Sequence, residues 1–198
     1  GSVSIVAGES TGSSVGSSVV VQGGLSTGVE GAGGSVSVNG GASTAGTAAG
    51  GDVHLVGGSS SQGTGGNVEI FTGTSLVHGS SGSVAISTSA SEESGAINLA
   101  TGAASSGASG TIHLTTGDSP QQSGGVSIAV GTSQTSGGSI ELSAGTGSIA
   151  GSVSIASGIN TDGSSSAGAL DITGTASASL QTASSFDGDS GRISIFTG

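Results

Sequence analysis

The chain has 198 residues and a formal net charge of −11, with twelve Asp and Glu and with Arg192 as its only Lys or Arg. Without cations it cannot neutralise phosphates, so nucleic acid and anionic membrane surfaces are excluded as partners. It has no Cys, and therefore no disulfide or thiolate metal site, and no run of residues approaches the ~18–20 apolar positions of a membrane-spanning helix.

With 43 Gly, three Phe and no Trp, Tyr or Met, composition alone describes a flexible linker. The placement of Val, Ile and Leu overrules that. The stretch Gly51-Asp52-Val53-His54-Leu55-Val56-Gly57-Gly58 reads Gly–x–aliphatic–x–aliphatic–x–small–Gly, and the chain repeats it thirteen times. In chain order the aliphatic pairs are Val3/Ile5, Val19/Val21, Val36/Val38, Val53/Leu55, Val68/Ile70, Val84/Ile86, Ile97/Leu99, Ile112/Leu114, Val126/Ile128, Ile140/Leu142, Val153/Ile155, Leu170/Ile172 and Ile193/Ile195. The opening Gly is replaced only at Ser17, and the closing Gly only at Ser89 and Thr175.

Within each copy the period is two, as in a half-buried strand. Positions three, five and seven share one side, and position seven is small in most copies. Position four faces the other way and is mostly polar or small, as at Ser4, His54, Glu69, His113 and Asp171. Linkers rich in Gly, Ser, Thr and Ala join the copies at a spacing of 13 to 17 residues. This pattern predicts an all-β fold, a parallel β-solenoid of about 13 short coils with 13–17 residues per coil. Residues 1–198 then form a single repeat array, an excerpt of a longer solenoid. The alternative is an antiparallel meander packed sheet on sheet, whose apolar face needs a partner sheet.

The expected core ladder includes Val3, Ile5, Val36, Val38, Val53, Leu55, Val68, Ile70, Ile112, Leu114, Ile140 and Leu142. Val15, Leu25, Leu76, Ile149 and Ile159, from the linkers, are expected on the opposite wall. The rhythm breaks once, where the spacing from Leu170 to Ile193 is 23. An irregular coil or insertion is expected over 173–191, with Ser177–Thr182 as a degraded strand.

Few constellations carry chemistry. The copies opening Gly-Gly-Asn-Val and Gly-Gly-Asp-Val lack the Gly and Asp that build the calcium-binding nonapeptide turn. His54 and Glu69 occupy the same outward row on successive copies, which predicts a surface pair. His113 lies too far along to share a metal with them, so no three-ligand site emerges. Acids are scattered, with Glu92-Glu93 the one adjacent pair, and no catalytic carboxylate cluster forms. The chain is accordingly expected not to be an enzyme, and no catalytic, cofactor or metal residues are assigned. None of Asn39, Asn67, Asn98 or Asn160 heads an N-glycosylation sequon. Ser59, Ser60, Ser61, Ser164, Ser165 and Ser166 are candidate O-glycan acceptors.

The copies Gly-Gly-Ser-Val-Ser-Val, Gly-Ser-Val-Ser-Ile-Ala-Ser-Gly and Gly-Thr-Ile-His-Leu-Thr-Thr-Gly resemble the Gly/Ser/Thr-rich tandem repeats of extracellular structural proteins of algae and protists. They are more distantly similar to filamentous adhesin solenoids, and the resemblance covers nearly the whole chain. It implies an extracellular or cell-surface structural role and carries over no catalytic residues. The expected function is that of a fibre, appendage shaft or surface coat, built by self-association into a filament and decorated with O-linked glycans. The alternative is the stalk of an adhesin or of a ligand- or ice-binding protein.

Overall fold

The computed structural model describes residues 1–12, 15–77, 79–161, 168–182 and 191–196. Among these residues there is no helix and no strand. Neither the parallel solenoid of about 13 coils nor the antiparallel sheet-on-sheet meander is formed.

The local alternation is nevertheless present. Side chains two residues apart meet on one side of a copy: Asn39 Nδ2 donates to Ser37 Oγ at 2.7 Å, Thr111 Oγ1 lies 3.2 Å from His113 Nε2, and His54 Nε2 lies 3.6 Å from Asp52 Oδ2. Such pairing is what locally extended backbone allows, since side chains two residues apart lie on the same side of it. Bends fall in the linkers and spare positions one to seven of every copy among the described residues.

The chain divides into two contact units, Gly1–Leu99 and Ala100–Gly198. In the first, bends at 28–30, 45–47, 61–63, 76–77 and 92–93 separate successive copies. Two of them are backbone turns, in which Gly31 N–H donates to Gly28 O and Ala48 N–H to Ala45 O, each at 3.4 Å. Gly46 has φ +56° at the second position of its turn, which glycine adopts without a Cβ penalty. In the second unit, bends at 105–107, 120–121, 134–135 and 147–149 play the same part. Linker serines brace several bends. Ser60 Oγ accepts from Gly63 N–H at 2.8 Å, and Ser133 Oγ accepts from Thr135 N–H at 3.2 Å and Ser136 N–H at 3.3 Å. Each is a local side-chain turn that competes with regular secondary structure.

The linker ends explain why no solenoid forms. Stacked coils need position one of each copy ~4.8 Å above position one of the last, so a linker must travel back over a strand that spans roughly 17 Å for five residues. The linkers instead close on themselves. The N–H of the next opening Gly donates to the carbonyl of the closing Gly: Gly34 to Gly24, Gly51 to Gly41 and Gly66 to Gly58 at 2.8 Å, Gly82 to Gly73 at 3.1 Å, Gly151 to Gly145 at 3.0 Å. A single bond at each of these five junctions, with no further backbone bond between the copies among the described residues, is not a ladder. A folded domain carries about one internal hydrogen bond per residue. Only seven backbone bonds are recorded among the described residues here, every one in a turn or junction.

The meander fails on burial. Packed sheets would cover the aliphatic face, yet no described residue is buried. A core of single Val and Ile side chains set against Ala, Ser and Thr gains too little apolar burial to offset the ordering entropy of a glycine-rich chain.

Candidate functional site

Chemistry-bearing side chains do not converge among the described residues. Among the described residues there is no cavity and no group of three potential metal ligands. His54 pairs with Asp52 of its own copy, and both side chains are 80% exposed. The expected His54–Glu69 pair is absent among the described residues. Ser59, Ser60 and Ser61 are exposed, with the Ser60 hydroxyl engaged by Gly63 N–H. Ser164, Ser165 and Ser166 lie outside the described residues.

What the structure does organise is the aliphatic ladder. None of Val3, Ile5, Val36, Val38, Val53, Leu55, Val68, Ile70, Ile112, Leu114, Ile140 and Leu142 is buried, because the solenoid wall that was to enclose them does not form. Linker residues Val15, Leu25, Leu76, Ile149 and Ile159, expected to face them, are 88–95% exposed. The ladder is graded all the same. From Val19 to Ile193, position three is 46–56% exposed in every copy, and position five is 63–84% exposed in all thirteen. Val3 is 91% exposed.

The copies also meet at a junction that their two-residue period does not predict: position seven of one copy lies against the opening Gly of the next. A Cβ placed on the opening Gly would meet Thr72 Cβ at 3.2 Å (Gly82), Thr101 Cγ2 at 3.4 Å (Gly110), Thr116 Cγ2 at 3.6 Å (Gly124), Val130 Cγ1 at 2.8 Å (Gly138) and Ala144 Cβ at 3.4 Å (Gly151). Where position seven is itself Gly, the backbones approach instead. A Cβ on Gly23, Gly40 or Gly57 would overlap the carbonyl oxygen of Gly34, Gly51 or Gly66.

Around the irregular interval the same contacts recur. A Cβ on Gly174 would overlap the Ser177 carbonyl oxygen, and one on Gly191 would meet Thr182 Cγ2 at 3.4 Å. Ser177–Thr182, expected as a degraded strand, forms no strand; its Leu180 is 74% exposed, and residues 183–190 of the expected irregular coil lie outside the described residues. The signal for these junctions was in the sequence: an opening Gly and a small position seven recur together across linkers of different length.

No helix among the described residues is long and apolar enough to cross a membrane. Compared with protein-family models, with curated proteins and with solved structures, the chain has no match.

Proposed function

We propose that this chain is a non-enzymatic structural protein that works by self-association, as part of an extracellular or cell-surface fibre, shaft or coat. The observation that carries this reading is the regular ladder of aliphatic side chains left largely uncovered. Position five is 63–84% exposed in every copy, and no described residue is buried. An exposed apolar surface of this regularity gains about 25 cal/mol for each Å² it buries against another chain. The extended copies also carry backbone N–H and C=O groups outside any ladder, which are templates for pairing with another chain. Acids and hydroxyls on the other side and in the linkers keep the assembly hydrated, and the exposed Ser59–Ser61 run is open to O-linked sugar.

Sedimentation velocity and electron microscopy of the purified chain over a range of concentrations test this reading. Concentration-dependent filaments or sheets are expected. Replacing Leu114, Ile128 and Leu142 together by Ser should raise the concentration needed for assembly at least about tenfold, since each buried side chain contributes ~1.5–3 kcal/mol. A wild-type chain that stays monomeric at every concentration would sink the reading and favour a stalk whose binding function lies elsewhere.

A further inference from the structure

The junction geometry creates a chemical weak point that the copies otherwise avoid. Gly is required at position seven of the copy at 34–41, because a Cβ on Gly40 would overlap the Gly51 carbonyl oxygen. Position six of that copy is Asn39. The other regular copies with Gly at position seven place Gln22, Val56 or Thr173 ahead of it. The contact that closes the junction thus enforces one Asn-Gly step. Asn39 and Gly40 are both exposed, and no backbone hydrogen bond holds the Gly40 N–H.

We propose that Asn39–Gly40 is a site of spontaneous modification, at which deamidation through a cyclic imide converts Asn39 to aspartate and isoaspartate and opens the junction to the next copy. The Gly40 backbone nitrogen, deprotonated by hydroxide or buffer base, attacks the Asn39 side-chain amide carbon. A five-membered succinimide forms as the C–Nδ2 bond breaks and the nitrogen departs as ammonia. Water then opens the ring at either carbonyl. Attack at one gives Asp, and attack at the other gives isoaspartate, whose main chain runs through the former side-chain carbons. Gly40 has no Cβ to shield the attacking nitrogen. Ser37 Oγ accepts from Nδ2 at 2.7 Å and holds the leaving amide, which takes the proton it needs to depart as ammonia from water.

The consequence follows from register. Isoaspartate adds one backbone atom ahead of position seven, so Gly40 no longer fits beside the Gly51 carbonyl. The 2.8 Å bond from Gly51 N–H to Gly41 O is then lost, and a further negative charge sits beside the break.

The test is incubation of the full chain at pH 8 and 37 °C, followed by peptide mass spectrometry, isoaspartyl methylation and amide exchange at Gly51. Asn39 should convert on the order of tenfold faster than Asn67, Asn98 and Asn160, whose followers Val68, Leu99 and Thr161 crowd the attacking nitrogen. Gly51 exchange should rise in step with the isoaspartate fraction. Asn39→Gln, which would need a six-membered ring, should abolish both changes. Asn39 converting no faster than Asn98 overturns the site. Conversion that leaves Gly51 exchange unchanged overturns the link to the junction.

Discussion

The junctions between 17 and 73 and those between 100 and 151 make one contact by two means. In the first group position seven is Gly23, Gly40 or Gly57, the backbones approach directly, and each closing hydrogen bond is 2.8 Å long. In the second it is Thr101, Thr116, Val130 or Ala144, and the side chain lies on the opening Gly. There the closing bond survives only beside Ala144, at 3.0 Å. Thr72, in the first unit, sits between the two cases at 3.1 Å. Bulk at position seven wedges the linker ends apart and replaces a polar contact with an apolar one. The opening Gly is common to both, and the room it leaves for a side chain differs: a Cβ would lie 2.8 Å from Gly24 N at Gly34 and from Val130 Cγ1 at Gly138, but 3.6 Å from Thr116 Cγ2 at Gly124.

The comparison can be broken most severely at Gly57. Gly57→Thr puts a Cβ where the Gly66 carbonyl oxygen lies. The bond from Gly66 N–H to Gly58 O should be lost, with the junction weakened by about 1–3 kcal/mol from overpacking and the lost bond together. Amide exchange at Gly66 measures this, and unchanged protection would mean that bulk at position seven does not govern closure. The converse change, Thr116→Gly, should let Gly124 N–H reach Gly117 O and slow its exchange by an amount equivalent to roughly 0.5–1.5 kcal/mol. A Gly124 amide that exchanges as before would assign the missing bond to linker length instead. The smallest effect separates two side-chain junctions. Gly138→Ala meets Val130 Cγ1 at 2.8 Å, whereas Gly124→Ala meets Thr116 Cγ2 at 3.6 Å, an ordinary contact. The first should perturb its junction by ~0.5–1 kcal/mol more than the second, because a β-branched side chain cannot easily rotate away. Equal chemical-shift changes around the two sites would contradict the contact.

The two groups also bear differently on the proposed assembly. Junctions in which the backbones approach directly need Gly at position seven and so carry the risk of an Asn-Gly step, realised once at Asn39–Gly40. Junctions closed by Thr or Val avoid it and add apolar surface to the side that bears the ladder.

Period, polarity and punctuation were legible in the residues. Val53 and Leu55 share a side while Asp52 and His54 share the other, since alternation is a property of extended backbone and needs no partner. Bends fall in the linkers because Gly and Ser favour them locally. The core was not legible. Val3, Val53 and Leu114 have the pattern of buried strand residues, but a pattern shows only which side would be buried if something covered it. Tertiary structure decided that nothing within the described chain does so. Five of the linkers close with one hydrogen bond between their own ends, others close by a side chain at position seven set on the opening Gly, and the bulk at that position sets how tightly they close. A glycine-rich backbone loses too much freedom, and two aliphatic side chains per copy return too little, for a single chain to complete the fold that its periodicity suggests.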